Sequence, residues 1–271
     1  MTVPTLLAHL TDTHVLEFGA AVSTPVDNNG RLQEAVARIG AETPAVNAVI
    51  ATGDLTADGT PAQYDALAEL VAPLSAPVLP IPGNHDDRGL LRAVFADTPW
   101  VDADHASWVA PVGGARVVGL DTTDPGRPGA AFDAEREVWL GSVLVEPHDG
   151  ATVLAMHHPP FLTGIGWMDR SGFIGLERFA AVLSEHPVDR VIAGHLHRPI
   201  ISTVSGVTAN VGLSTVEHVE LDLAADAGVS MILDPVGYQV LRIADRDIVT
   251  HTRYIATGQK SFRPEWASQY E

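Results

Sequence analysis

Five short packets of histidine, aspartate and asparagine recur along this chain, each directly after an apolar run that is typical of a buried strand. Imidazole nitrogens, carboxylates and amide oxygens are the ligands that divalent metal ions take from side chains. Because strand ends on one edge of a sheet lie close together in space, packets at such positions predict one shared two-metal site. The packets are Asp12-Thr13-His14, Gly53-Asp54, Gly83-Asn84-His85-Asp86, His157-His158 and Gly194-His195-Leu196-His197.

The first two packets predict carboxylate ligands. Asp12 and His14 are two residues apart at a strand end, so alternation along the strand points both side chains the same way, toward one metal. Gly53 lets the backbone come close to whatever Asp54 binds. The two oxygens of Asp54 can each take one of two metals. Taken alone, each packet also fits an ordinary alternative, a capping or turn-forming aspartate beside a loop histidine.

The remaining packets strengthen the metal interpretation. Asn84 offers a neutral amide oxygen, and His85 beside it is expected to project into the same cleft. His195 and His197 are placed on one side of an extended segment, where each reaches a different metal. His157 ends its strand in the same manner. Six of the twelve histidines of the chain fall in these packets, which makes an accidental cluster a poor explanation.

Composition narrows the class of protein. The chain has 271 residues, 46% of them hydrophobic, which fits one large α/β domain or two small ones. A formal net charge of -18 argues against nucleic acid or stable membrane association, although two metals can reverse the local field for a small phosphorylated substrate. There is no cysteine, so nitrogen and oxygen must hold every metal. No signal or transmembrane pattern is present, which favours a cytoplasmic enzyme.

The elements that must position these side chains alternate between strand-like and helix-like patterns at the spacing of βαβ units. Strands are predicted at Thr5–Leu10, Val46–Thr52, Pro77–Ile81, Ala115–Leu120, Ala151–Met156 and Arg190–Ala193. Helices are predicted at Asn28–Ala41, Pro61–Val71, Arg88–Phe95, Asp133–Val145 and Leu176–Glu185. Further short strands are predicted at Ile200–Val204, Val207–Val211, Gly237–Ala244 and Asp247–Tyr254, the last two as a hairpin. We expect a mixed sheet from the first half packed on a more antiparallel sheet from the second.

The ordered motifs D-x-H, G-D, G-N-H-D, H-H-P-P and G-H-x-H resemble those of the calcineurin-like metallophosphoesterase superfamily. A narrower resemblance is to bacterial class III cyclic nucleotide phosphodiesterases and glycerophosphodiesterases, and it is carried by Gly83-Asn84-His85-Asp86-Asp87-Arg88 and Met156-His157-His158-Pro159-Pro160. The resemblance implies an α/β fold, a four-layer α/β/β/α sandwich of two mixed β-sheets. Because no internal repeat, low-complexity segment or long linker demands a second domain, we expect a single domain over residues 1–271, with residues 198–271 completing the second sheet and contributing to the site mouth or a dimer interface.

The resemblance also implies a ligand set and its cofactors, two divalent metal ions. Manganese or iron is expected, with zinc or cobalt as alternatives. His158 is not implied as a ligand and either supports the site or is simply packed. The implied ligands are Asp12, His14 and His197 for the first metal, Asn84, His157 and His195 for the second, and Asp54 as the bridge.

The reaction implied is hydrolysis of a small phosphodiester, most specifically a 3′,5′-cyclic nucleotide such as cAMP. Two metals about 3.5–4 Å apart can share a hydroxide and hold a phosphate oxygen for in-line attack. His85 is the implied catalytic residue that stabilises or protonates the leaving alkoxide, and Asn84 and His85 also contact the substrate. The alternatives are a glycerophosphodiesterase, a phosphomonoesterase or nucleotidase of the same superfamily, and, more distantly, a non-catalytic binding scaffold. A homodimer is a further possibility.

Other residues near the packets have two interpretations each. Asp87 and Arg88 either reach the substrate or cap and lead into the next helix; we favour the second interpretation. Trp167, in a glycine-rich segment, either stacks on a base or anchors a loop or subunit contact. The acidic segment Leu213 to Gly237 is expected near the site mouth or at a dimer interface. His9, which lies within the first strand, is taken as structural.

Overall fold

The computed structural model describes residues 3–20 and 26–255. Six helices lie in this part of the chain: α1 Asn28–Gly40, α2 Pro61–Val71, α3 Arg88–Val94, α4 Ala134–Val145, α5 Gly166–Asp169 and α6 Leu176–Glu185. The strands of the first half are β1 Thr5–Leu10, β2 Ala48–Thr52, β3 Val78–Ile81, β4 Trp108–Val112, β5 Ala115–Leu120, β6 Thr123–Asp124 and β7 Arg127–Ala131. Those of the second half are β8 Thr152–Met156, β9 Phe173–Ile174, β10 Arg190–Ala193, β11 Ile200–Val204, β12 Val207–Val211, β13 His218–Val219, β14 Met231–Ile232, β15 Gly237–Ala244 and β16 Asp247–Tyr254.

Helix starts follow the capping signals in the sequence. The hydroxyl of Thr60 accepts from the backbone N–H of Gln63 at the start of α2, and Pro61 occupies a first-turn position. The Gln63 side chain does not complete a capping box but pairs with Asp58 instead, accepting from its N–H at 2.8 Å. Asp133 caps α4 through the Arg136 N–H. No helix in the described residues is both long and apolar enough to cross a bilayer.

Two mixed sheets form the centre of the molecule. The first has the order β16-β15-β1-β2-β3, in which β1, β2 and β3 are parallel and β15 runs antiparallel to β1. The second has the order β11-β12-β10-β8-β5-β4, with four parallel strands flanked by antiparallel β11 and β4. Pro80 lies in β3, an edge strand, where its missing N–H removes no ladder bond from a central position.

The expectation that the C-terminal strands complete the second sheet is wrong for the hairpin of β15 and β16. Only β11 and β12 join that sheet, whereas β15 pairs with β1, with Thr5 opposite Ile243. Seven of the eight residues of β15 are buried or half-buried on both faces, and such a strand needs a neighbour on each side. Residues 256–271 lie outside the described residues, and the single domain over 1–271 stays a prediction.

The four-layer α/β/β/α arrangement is confirmed. One apolar cluster joins α1, α2 and α3 to the outer face of the first sheet, with Leu32 and Leu67 among its fully buried members. The other fills the space between the sheets and continues to α4 and α6, with Ile50 and Phe179 buried in it. Since β1, β2, β3, β8 and β10 run parallel within their sheets, their carboxyl ends present the loops that follow them, and these loops carry all five packets.

Candidate metal centre

The loops after the strands hold five of the seven predicted ligands in the left-handed region of backbone conformation. Strand alternation therefore does not explain why Asp12 and His14, or His195 and His197, point into one site. A left-handed residue costs free energy and persists where surrounding contacts hold it, as it often does at functional sites. The φ values are 51° at Asp12, 42° at His14, 49° at Asp54, 72° at His195 and 57° at His197.

Asp12, His14 and His197 come together as predicted for a first metal, with one ligand atom from each within 4.8 Å of the others. The Nε2 atoms of His14 and His197 are 3.1 Å apart. His197 Nε2 lies 3.6 Å from Asp12 Oδ1. Two ring nitrogens and a carboxylate that face one point form a suitable set for a divalent ion.

Asp54 lies between this group and the second one. Its Oδ2 is 3.9 Å from His14 Nε2 and 3.3 Å from His157 Nε2. Its Oδ1 accepts a hydrogen bond from the His85 backbone N–H at 2.9 Å. One oxygen therefore faces both predicted metal positions, whereas we had expected each oxygen to take one metal.

The second group contains two buried polar atoms without a hydrogen-bond partner within the described residues, Asn84 Oδ1 and His195 Nδ1, and a third, His157 Nε2, that faces Asp54 Oδ2 at 3.3 Å. Buried polar atoms are normally satisfied, and each orphan calls for a ligand or an ion. These are the three residues predicted for a second metal. The donor set present in the chain thus fits a bound ion at this position.

Backbone carbonyls fix the tautomers of three histidines. The Nδ1–H groups of His85, His157 and His197 donate to the carbonyl oxygens of Ala57 at 2.7 Å, Thr52 at 2.7 Å and Glu217 at 2.9 Å. In the neutral ring, each Nε2 is then unprotonated and keeps a lone pair that can bind a metal. Such carbonyl contacts orient metal-binding rings and raise their basicity.

Burial and mutual proximity set the protonation states of the proposed ligands in the metal-free protein. Burial, and then neighbouring imidazoles, lower the pKa of both His14 and His195 to about 3. Burial raises the pKa of Asp54, but His157 and His14 outweigh it and hold that pKa well below its ordinary value. Burial lowers the pKa of His157, yet the Asp54 carboxylate and further contacts raise it to about 9. At neutral pH the centre therefore carries an ionised Asp54 and a proton on His157 that a metal ion must displace.

His158 is packed against the site rather than aimed into it. Its Nδ1 lies 2.9 Å from the Thr122 hydroxyl, and its Nε2 lies 3.2 Å from the Pro128 carbonyl. Because Nε2–H donates to the carbonyl and Nδ1 accepts from the hydroxyl, neither nitrogen is left for a metal. Burial and neighbouring imidazoles lower the pKa of His158 well below its ordinary value, so the ring is neutral.

Two glycines let the ligand loops approach one another. Gly53 has φ 87°, and a Cβ there would lie 2.6 Å from His157 Nδ1. A Cβ on Gly83 would lie 2.2 Å from Asp54 Oδ1. Side chains at these positions would push apart the loops that carry Asp54, Asn84 and His157.

Asp86 is the site residue that the sequence analysis overlooked, although its packet was recognised. Its carboxylate accepts from the backbone N–H groups of Leu55, Thr56 and Gly83 at 3.1, 3.1 and 2.9 Å, and from the hydroxyls of Thr56 and Tyr64, each at 3.1 Å. Burial, and then the charge of Asp54, raise the pKa of Asp86 to about 6. Asp86 thus ties the Asp54 loop to the Asn84 loop.

We expect Asp86→Asn to destabilise the metal-free protein by about 1–3 kcal/mol and to weaken metal binding by about 10–100-fold, because the amide nitrogen cannot accept the hydrogen bonds made to one carboxylate oxygen. Urea unfolding and metal titration measure the two effects. Asp65→Asn, an exposed change on α2, is the control. An Asp86→Asn protein with the stability and metal affinity of the control would contradict this role of Asp86 in holding the two loops together.

The loops that carry the proposed metal ligands border a cleft of about 520 Å³. Among the described residues that line it there is no lysine or arginine, while Asp54, Asp58 and Glu217 all contribute. Arg88 is turned away and forms an ion pair with Asp121 at 2.6 Å. The Asp87 carboxylate caps α3 through the Leu90 N–H, so the capping interpretation of these two residues is confirmed.

The acidic segment 213–237 contributes to the cleft. Glu217, Val219 and Met231 line it, the latter two from the small sheet of β13 and β14. Trp167 of α5 lines the same cleft. The predicted location at the site mouth therefore holds, whereas the dimer interface stays a prediction.

Sequence comparison gives one family for this geometry. The family model described as calcineurin-like phosphoesterase matches residues 5–199. A probable glycerophosphodiester phosphodiesterase of Arcobacter nitrofigilis is 31% identical over 254 residues, 92% of this chain and 93% of the relative. A probable cyclic nucleotide phosphodiesterase of Rhodopseudomonas palustris is 32% identical over 255 residues, 92% of each chain. A 3′,5′-cyclic adenosine monophosphate phosphodiesterase of Pseudomonas aeruginosa is 30% identical over 71% of this chain and 70% of its own.

Solved structures resemble the fold. A purple acid phosphatase from yellow lupin superposes with a TM-score of 0.70 at 16% identity, covering 96% of this chain and 53% of the phosphatase. GAP50 of Plasmodium, an anchor in the inner membrane complex, superposes with a TM-score of 0.62 at 14% identity, covering 94% of this chain and 86% of its own. At these identities the likeness concerns the fold alone.

Proposed function

Because this chain belongs to the calcineurin-like phosphoesterase family, we propose that it is a two-metal phosphodiesterase that hydrolyses 3′,5′-cyclic nucleotides such as cAMP. The observation that carries the proposal is the group of Asn84, His157 and His195, with Asn84 Oδ1 and His195 Nδ1 orphaned, beside the group of Asp12, His14 and His197, with Asp54 facing both. When bound, two divalent ions would supply Lewis acidity and an activated water. Manganese or iron is proposed, with zinc or cobalt as alternatives.

The side chains around this centre have distinct roles in the proposal. Asp54 and Asp12 supply the negative charge that offsets bound cations. His85 is exposed at the cleft, and because its Nδ1–H is held by the Ala57 carbonyl, its Nε2 is the atom available to substrate. A proton carried there can pass to the leaving alkoxide, which is general acid catalysis. Asn84, whose side chain also borders the cleft, orients the phosphate.

The charge of the cleft supports a diester over a monoester. A phosphodiester carries one negative charge, whereas an ionised monoester carries up to two. Beyond the proposed metal centre and its histidines, the described lining residues include Asp58 and Glu217 but no lysine or arginine that would pair with the second charge of a monoester. Some relatives are named cyclic nucleotide phosphodiesterases and others glycerophosphodiester phosphodiesterases, so glycerophosphodiesters are the alternative substrate class. A homodimer is a further proposal.

The test compares kcat/KM of the manganese-loaded protein for bis(4-nitrophenyl) phosphate and 4-nitrophenyl phosphate. We expect the diester to be preferred by at least about tenfold in kcat/KM, a difference of about 1.4 kcal/mol, because no lysine or arginine of the described cleft is placed to pair with the second charge of a monoester. Turnover of cAMP, cGMP, a 2′,3′-cyclic nucleotide and glycerophosphoethanolamine in the same samples ranks the natural classes. Protein stripped by a chelator is the control. A strong monoester preference would contradict the proposed reaction, and preference for glycerophosphoethanolamine would favour the alternative.

A further inference from the structure

Trp167 is the large aromatic side chain that α5 presents to the cleft. Ile165 and Met168 are 0% and 9% exposed members of the apolar cluster between the sheets, and the half-buried Trp167 packs against that cluster. The cleft that Trp167 lines is the one that contains His85 and His195. Trp167 thus borders both the core and the cleft that the proposed metal ligands line.

Hydrogen bonds hold the segment that carries this ring. The Asp169 carboxylate accepts from the Thr163 N–H, the Thr163 hydroxyl and the Gly164 N–H, each at 2.9 Å. The Met168 and Asp169 N–H groups both donate to the Ile165 carbonyl at 3.0 Å. Because the backbone on both sides of Trp167 is tied in place, little entropy is lost when a ligand packs on the ring.

The rest of the cleft leaves apolar contact as the means of holding the organic part of a substrate. Leu16, Val219 and Met231 contribute apolar surface to it. The titratable side chains that line it are carboxylates and histidines, most of them in the proposed ligand set of the metal centre. A planar, neutral ring fits such surroundings. An aromatic side chain can stack on any purine or pyrimidine base, because every base has a π face.

We infer that Trp167 is a specificity-determining residue, a platform on which the base of a nucleotide stacks while the phosphate is held at the metal centre. This inference rests on the proposed phosphodiesterase function and adds to it the residue that separates nucleotides from aliphatic diesters. The role of Trp167 in this inference is to stack on a base, not to contact another subunit.

The test uses two ligands that differ only in the base: 5′-AMP and ribose 5-phosphate, titrated into the manganese-loaded protein by calorimetry. We expect Trp167→Ala to weaken 5′-AMP binding by about tenfold, within the range that base–aromatic stacking contributes, and ribose 5-phosphate by less than about twofold. Trp167→Phe is expected to retain 5′-AMP affinity within about threefold of the wild type, because phenylalanine keeps an aromatic face. Trp139→Ala, a half-buried tryptophan of α4 outside the cleft, is the control and is expected to change neither affinity.

A second variant separates stacking from bulk. Trp167→Leu keeps apolar volume without a π face and is expected to lose 5′-AMP affinity as Trp167→Ala does, with its metal content and circular dichroism unchanged. Equal weakening of both ligands, or unchanged 5′-AMP affinity in both variants, would overturn the inference. The outcome is distinct from that of the proposed function: absence of cAMP hydrolysis in the wild type would refute the reaction, whereas base-selective binding through Trp167 is measured without turnover.

Discussion

Asp54→Asn is expected to lower cAMP turnover by the metal-loaded protein by at least about 10³-fold, since metal charge stabilisation worth several kcal/mol is lost and each 1.36 kcal/mol is tenfold in rate. The orientation of the new amide is what makes the loss large. Its oxygen is required at the Oδ1 position, where the His85 backbone N–H donates. The amide nitrogen then replaces Oδ2, the atom 3.3 Å from His157 and 3.9 Å from His14, and a nitrogen that carries two hydrogens cannot bind metal there.

Metal content distinguishes this loss from a general defect. We expect the Asp54→Asn protein to retain fewer than two ions per chain when manganese is measured after gel filtration. Asp65→Asn makes the same chemical change at an exposed position of α2 and serves as the matched control. An Asp54→Asn protein that keeps two ions and turnover near that of the control would refute the bridging role.

His85→Ala is expected to lower kcat for cAMP by about 10²–10⁴-fold while both ions remain bound, the range that a positioned general acid contributes. The reason is geometric: the ring lines the cleft, and because its Nδ1–H donates to the Ala57 carbonyl, Nε2 is the ring nitrogen left for substrate. His85 lies beside Asn84, a proposed ligand, but is not itself in the proposed ligand set. Loss of its side chain therefore removes a proton donor and leaves the ion positions intact.

The dependence on the leaving group tests this role directly. The ribose alkoxide formed from cAMP needs a proton, whereas 4-nitrophenolate is stable without one. We therefore expect the kcat loss in His85→Ala to be at least about tenfold smaller with bis(4-nitrophenyl) phosphate than with cAMP. His251→Ala, an exposed change on β16, is the matched control. Equal losses with the two substrates would show that His85 holds the phosphate instead of protonating the leaving group.

Much of the fold was predictable because local patterns decide local structure. The bounds of β5, α2, α6 and the hairpin of β15 and β16 agree with the apolar periodicity and capping residues of their own segments. The two-residue strands β6, β9, β13 and β14 were missed, since two residues carry no period. The five-residue strands β4 and β7 were also missed, and each contains a proline, which is not typical of a strand interior. The sheet that accepts β15 was also mispredicted, because that choice depends on pairing with β1 more than two hundred residues away.

The composition and order of the packets alone indicated the kind of chemistry, since histidine, aspartate and asparagine side chains can bind metal where they converge, and the motifs identified the family. Only the tertiary structure decided how each atom is used. The carbonyls of Thr52, Ala57 and Glu217 select the ring nitrogens of His157, His85 and His197, and Oδ2 of Asp54 faces both ligand groups. Asp86 and Trp167 acquire their positions in the same way, through contacts between loops that are distant in sequence, and no local pattern encodes such contacts.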